Sequence, residues 1–240
     1  MENQPKIFDL IIIGSGPAGY LSAILSAQKG LSAAVIEKAE LGGTCLNRGC
    51  IPTKALMKEA YFWDTFGKSG LVRNKEEATS YFKNVLEKKN AAVNQVVSGL
   101  RNLLSRDRIT VIQGEASFVN SHTLAIKRNG KVTDKLEADR ILIASGAVPK
   151  EINQLKKDGQ GVIGSDEVLN MTDLPSTMAI VGGGRRGVEF STFFNTFGVK
   201  VALIEKENRI LPGMDREISV RYKGLLTKRN IRVFSLVTFV

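Results

Sequence analysis

The chain has 240 residues, of which 43% are hydrophobic and 24% charged, a balance that fits one large or two smaller globular domains and excludes a disordered chain. Its formal charge of +10 comes from Lys and Arg scattered among acids, as in KEEATSYFKNVLEKK, which describes a solvated basic surface and not a nucleic-acid-binding block. The aliphatic run at 10–13 is too short to cross a bilayer, and MENQPKIFDL has neither an apolar signal core nor an Arg- and Ser-rich leader, so a cytoplasmic protein with no membrane or nucleic-acid partner is expected.

Residues 8–13 (FDLIII) read as a strand buried on both faces, the kind found in parallel sheets. They run into Gly14-Ser15-Gly16-Pro17-Ala18-Gly19, then a helix predicted over 20–28 and a strand over 33–37 that ends in an acid. In that order these elements form a dinucleotide fingerprint. Gly14 permits a tight turn, Gly16 lets the backbone approach a pyrophosphate, and Gly19 lets helix and strand pack closely. The helix N-terminus faces the negative charge, and Glu37 can accept hydrogen bonds from a ribose diol.

The segment GGTCLNRGCIPTK, 42–54, holds both cysteines of the chain, Cys45 and Cys50. They read as a working dithiol, a metal site or two unrelated buried thiols. On an ideal helix, residues five apart have Cα atoms about 8–9 Å from each other, whereas a disulfide needs about 4.4–6.8 Å. The pair can bridge only where the helix start is distorted, a freedom that Gly42, Gly43 and Gly49 supply and that Pro52 suits. Arg48, Lys54 and a helix N-terminus all favour a thiolate. A zinc site would want further ligands, and the single histidine, His122, reads as a surface or packing residue; no metal is expected.

A helical stripe follows, through Phe82, Val85, Leu86, Val93, Val96, Val97, Leu100, Leu103 and Leu104, and is predicted to face the core. Residues 109–113 read as a strand, 124–133 as a hairpin closed by Asn129-Gly130, and 141–144 as a buried strand. The stretches around GQG and DLP fit a linker. The fingerprint then recurs: a strand over 177–181, Gly182-Gly183-Gly184-Arg185-Arg186-Gly187, a helix over 188–197, and a strand ending at Glu205. The step from first glycine to acid is the same in both copies, which predicts two dinucleotide-binding modules. The fold class expected is α/β, two Rossmann-like modules with parallel sheets and helices, over 1–148 and 149–240.

In family order, the first glycine motif, the whole of 42–54, Ile143-Ala144-Ser145-Gly146 and the second glycine motif make the sequence resemble the FAD-dependent pyridine nucleotide-disulfide oxidoreductases, above all their dihydrolipoamide dehydrogenase branch. The stretches 165–169 and 209–215 resemble that branch too. The resemblance implies FAD in the first module and NAD in the second, and oxidation of dihydrolipoamide through a Cys45–Cys50 disulfide and FAD to NAD+. Cys50 would meet the flavin and Cys45 would exchange with substrate. Around the FAD would stand Gly14, Ser15, Gly16, Pro17, Ala18, Gly19, Glu37, Lys38, Gly43, Thr44, Ala116, Ser145 (where the family usually has Thr) and Gly146. Lys54 would sit near the flavin paired with Glu189, and Gly182, Gly184, Gly187 and Glu205 would hold the second nucleotide.

Glu205 favours NAD, because a carboxylate reads a free 2′-hydroxyl and repels a 2′-phosphate. Arg209 nearby keeps a related NADPH-dependent disulfide or mercuric reductase open as an alternative. Arg185-Arg186 replace an apolar pair and either hold a pyrophosphate or point to solvent. Complete members form homodimers that serve lipoyl domains of 2-oxoacid dehydrogenase complexes. The chain is expected to correspond to their N-terminal half, with the second module incomplete and the dimerisation domain absent; a non-catalytic remnant is the alternative reading.

Overall fold

The computed structural model describes residues 6–68 and 75–238. In chain order its elements are β1 (Lys6–Ile13), α1 (Pro17–Gln28), β2 (Ala33–Glu37), α2 (Gly43–Asn47), α3 (Cys50–Lys68), α4 (Lys75–Arg106), β3 (Thr110–Gln113), β4 (Glu115–Phe118), β5 (Thr123–Arg128), β6 (Lys131–Ile143), α5 (Ser165–Val168), β7 (Thr177–Val181), α6 (Arg185–Thr196), β8 (Lys200–Ile204), α7 (Arg216–Lys228) and β9 (Arg232–Phe234). The chain packs as two compact units, one of residues 1–52 and 91–149, the other of 53–90 and 150–240. Residues 53–90 group with the second unit.

In the first unit the strands lie in the order β3-β2-β1-β6-β5-β4. β1 pairs in parallel with β2 and β6, and β2 with β3, while β4, β5 and β6 pair antiparallel. Alternation along the central strands covers both faces. Ile12 and Val35 join a cluster with Ala23, Ile24, Leu100 and Leu104, while Ile11, Ala34 and Ile36 join one with Leu124, Ile126 and Leu136. Such two-sided burial is why FDLIII carries no polar alternation beyond its first residues.

The hairpin forms as expected, with Asn129 and Gly130 at positive φ, the backbone a tight two-residue turn needs. The separate strand expected at 141–144 is not separate. It is the end of the 13-residue β6, which leaves β5 and continues along β1. Nor is that end buried: Ile143 is 64% exposed, because it lies at the carboxyl edge of the sheet, where the strand runs out beside the glycine turn.

In the second unit β7, β8 and β9 form a parallel sheet in that order. Its core gathers Phe193 and Phe194 from α6, Phe197 at that helix's C-cap, Leu203, Ile210 and Leu226, with Leu56 and Ala60 from α3 and Phe82 and Val85 from α4. The 32-residue α4 thus gives its apolar stripe to two cores, Phe82 and Val85 to this one, Leu100 and Leu104 to the first. Val96, expected in the stripe, is exposed. Acids in the first turn of α4 and Arg106 in its last complement the helix dipole. Among the described residues no helix is long and apolar enough to cross a membrane.

Candidate functional site

The two glycine loops are built alike, position for position. Gly14 and Gly182 take φ of 102° and 106°, a region closed to most side chains. Gly14 N donates to Ile36 O and Gly182 N to Ile204 O, both at 2.8 Å. A Cβ on Gly19 would land on the carbonyl oxygen of Gly14, and one on Gly187 on that of Gly182, so both glycines are demanded by helix–loop contact. At Gly16 and Gly184 a Cβ would meet nothing within 4 Å; these two need no glycine for the fold and leave open space at the helix start. Pro17 at the first position of α1 costs no hydrogen bond there.

The acids close each loop. Ser15 donates to Glu37 Oε2 from both N (2.9 Å) and Oγ (2.6 Å), and Ala39 N donates to Oε1 at 2.8 Å. In the second unit Gly183 N donates to Glu205 Oε2 at 2.6 Å and Glu207 N to Oε1 at 2.9 Å. Burial opposes ionisation of Glu37, but the hydrogen bonds from the Ser15 hydroxyl and the neighbouring backbone outweigh it and hold the carboxyl below its usual range. A carboxylate offers about four acceptor directions, so Glu37 staples the turn and keeps room on Oε1 for a ribose hydroxyl.

Within the first unit the other expected positions converge on this loop. A Cβ on Gly43 would lie 2.8 Å from Gly16 Cα, and one on Gly14 3.2 Å from Ser145 Cα. Gly114 N donates to Glu37 O at 2.8 Å, and Lys38 stands 3.8 Å from Glu115, beside Ala116. Gly14–Gly19, Glu37, Lys38, Ser145 and Gly146 therefore lie at the carboxyl ends of β1, β2 and β6, with Gly43 and Thr44 of α2 against the loop, where doubly wound sheets take ligands; Ala116 lies on β4, next to the Glu115 that Lys38 approaches. The open Gly16, the helix start and the partly satisfied buried acid fit a dinucleotide, as do Gly184 and Glu205 in the second unit.

Cys45 lies within α2 and Cys50 opens α3, with the helix interrupted at Arg48-Gly49; the expected distortion between the cysteines is present. Cys45 is half-buried and Cys50 exposed, and the two are not bridged in this structure. Asn47 Nδ2 reaches back to Leu41 O and Gly43 O at 2.9 and 3.0 Å, clamping the five-residue α2. Tyr20 packs with Cys45 against one apolar cluster. Burial first, then the charges of Cys45 and Cys50, push its phenol upward. The sequence reading missed Asn47 and Tyr20; the i−4 spacing of Asn47 to Gly43 and the place of Tyr20 directly after the fingerprint were the available signals.

In the second unit Lys54 on α3 is exposed and Glu189 on α6 half-buried, and no ion pair joins them among the described residues. Arg186 neither lies free nor faces the glycine loop alone: Nη1 donates to Ser165 Oγ at 2.7 Å and stands 3.7 Å from Asp166. Arg209 Nη2 donates to Pro212 O at 3.1 Å. No cluster of His, Cys, Asp or Glu suited to a metal occurs among the described residues.

The pyridine nucleotide-disulphide oxidoreductase family model matches residues 8–239. The dihydrolipoyl dehydrogenase of Bacillus subtilis (strain 168) is 38% identical over 234 residues, covering 94% of this chain and 49% of that protein. The dihydrolipoyl dehydrogenase of Acholeplasma laidlawii is 37% identical, covering 96% and 69%. Among solved structures, the Cu(II) complex of the HOCl-induced flavoprotein disulfide reductase RclA from Escherichia coli matches with a TM-score of 0.81 at 31% identity, over 98% of this chain and 50% of that one. The chain thus spans about half the length of most of these relatives.

Proposed function

The chain belongs to the pyridine nucleotide-disulphide oxidoreductase family, and from that membership we propose that it carries the flavin- and thiol-bearing part of a dihydrolipoamide dehydrogenase. The observation that carries this reading is the seating of Gly43 against Gly16, which sets the helix of Cys45 directly on the first dinucleotide loop. In this reading Gly14, Ser15, Gly16, Pro17, Ala18, Gly19, Glu37, Lys38, Gly43, Thr44, Ala116, Ser145 and Gly146 hold FAD. Gly182, Gly184, Gly187 and Glu205 hold NAD, and Lys54 and Glu189 keep the catalytic roles that the family resemblance implies.

The thiol chemistry is assigned to the cysteines. A dihydrolipoamide thiolate attacks Cys45 of the oxidised Cys45–Cys50 pair; a new S–S bond forms to substrate, the protein bond breaks, and Cys50 leaves as a thiolate. The second substrate thiolate then attacks its own partner sulfur, closing the lipoamide ring and freeing Cys45. The substrate loses two electrons and two protons, and the protein disulfide gains the two electrons. A bound FAD, held by the first glycine loop and Glu37, would supply the two-electron acceptor for the reduced pair, with NAD+ as the final acceptor. Glu205 supports NAD over NADP, since Gly183 and Glu207 hold its carboxylate in place and a 2′-phosphate would be repelled. The same reading extends to lipoyl-domain partners, a homodimer in the complete protein and a cytoplasmic site of action.

The test is the visible spectrum of the purified chain incubated with FAD, before and after anaerobic dihydrolipoamide. A flavin spectrum that gains a long-wavelength charge-transfer band, absent from Cys50→Ser, is expected. A protein that stays colourless after incubation with FAD overturns the assignment of the first unit.

A further inference from the structure

The two loops share their three glycines but differ at the position after the first, which is Ser15 in the first unit. Its counterpart in the second unit is Gly183, where a Cβ would stand 2.9 Å from Ile210 Cγ2 and 3.0 Å from Glu205 Oε2, leaving no room for a hydroxyl. In the first unit the hydroxyl is present and fully engaged. Ser15 is wholly buried; its Oγ donates to Glu37 Oε2 at 2.6 Å and accepts from Gly42 N at 3.0 Å. Gly42 is the N-cap of α2, at φ 94°, with no side chain of its own to cap the helix. The loop that has the hydroxyl is the one whose acid is followed by a cysteine-bearing helix.

We propose that Ser15 is a positioning residue for Cys45: its hydroxyl ties the first turn of α2 to the buried carboxylate of Glu37 and so fixes where the Cys45 thiol stands. The proposal rests on the reading of Cys45 as the thiol that exchanges with substrate. Two anchors then hold α2, Ser15 at Gly42 N and Asn47 at Leu41 O and Gly43 O. The fit is narrow on both sides of the turn. A Cβ on Gly42 would strike Leu46, and one on Gly43 would press on Gly16, so the turn can open only by leaving the loop. Removing the hydroxyl strands the Gly42 N–H in a buried place and takes one of two donors from Glu37 Oε2, and both losses favour that opening.

The experiment is the rate of alkylation by iodoacetamide of single thiols in the full chain without added cofactor. Cys45 is read in a Cys50→Ser background and Cys50 in a Cys45→Ser background, each with Ser15 or Ser15→Ala. Rates are taken across pH, so that a change in thiolate fraction is separated from a change in access. The proposal expects Ser15→Ala to change the limiting rate at Cys45 by about fivefold or more, the factor that one ordinary buried hydrogen bond carries, with Cys50 essentially unmoved. An unchanged Cys45, or an equal change at both thiols, overturns it, the second result marking a general loosening in place of positioning. The readout needs neither FAD nor turnover, so a failed charge-transfer band would leave it standing.

Discussion

The glycines of each fingerprint fall into two kinds, and substitution separates them. Gly19 and Gly187 have their missing Cβ atoms on the carbonyl oxygen of the glycine five residues earlier in the same motif, whereas Gly16 and Gly184 face open space. Gly16 also has an extended backbone, φ −66° and ψ −179°, that alanine adopts freely. Gly19→Ala is therefore expected to cost about 3 kcal/mol or more, because backbone cannot move aside as a side chain can. Gly16→Ala should cost no more than about 1 kcal/mol, the usual loss for alanine at an N-cap. Its FAD affinity should nonetheless fall by at least about tenfold, the factor that 1.4 kcal/mol carries, since a methyl group would stand where the pyrophosphate approaches. Urea unfolding and flavin titration of the two variants read the two quantities. A Gly16→Ala chain that binds FAD normally would remove Gly16 from the site.

Among the elements, α3, α4 and α6 meet in an aromatic stack that gives the second unit its own reporter. Trp63, the chain's single tryptophan, stacks on Tyr81 and Phe197 with centroids 4.8 and 5.9 Å away. Phe197 also meets Phe82 and Phe193 at 5.9 and 5.1 Å. Phe197→Ala opens a cavity in the middle of this group and should cost about 3–5 kcal/mol. The loss would be read as an earlier denaturation midpoint in Trp63 emission, and an unshifted midpoint would show that the stack holds nothing together. The sequence discloses such elements unevenly. Both fingerprints and the Asn129-Gly130 turn are legible because positive φ and close backbone approach demand particular residues within a few positions. The unity of β6 is not, since its middle, Asp134-Lys135, is charged and its partner changes along its length from β5 to β1. Nor is the division of α4: helical period gives a stripe, but which core each part of it enters depends on segments far off in sequence. For the same reason Ser15 was legible as a loop residue and not as the donor to Glu37, a bond across 22 residues.

For the molecule as a whole, what matters is that each compact unit owns a complete loop, acid and sheet edge. The first has Gly14–Gly19 with Glu37, the second Gly182–Gly187 with Glu205, and no residue of either set belongs to the other unit. A ligand stabilises only the structure that binds it, by about 2.7 kcal/mol at a hundred times its dissociation constant. Added FAD should therefore slow amide hydrogen exchange over 6–52 and 91–149, most at the glycine loop and β2, and leave 177–236 little changed. NAD+ should do the reverse. The region 53–90 is the informative part, because by sequence it sits within the first module but by packing it joins the second. Beyond the first turns of α3, which carry Cys50 and Lys54, the amides of 57–68 and 75–90 should follow NAD+ and ignore FAD. Slowing of these stretches by FAD alone would mean that the helices open and close with the flavin loop.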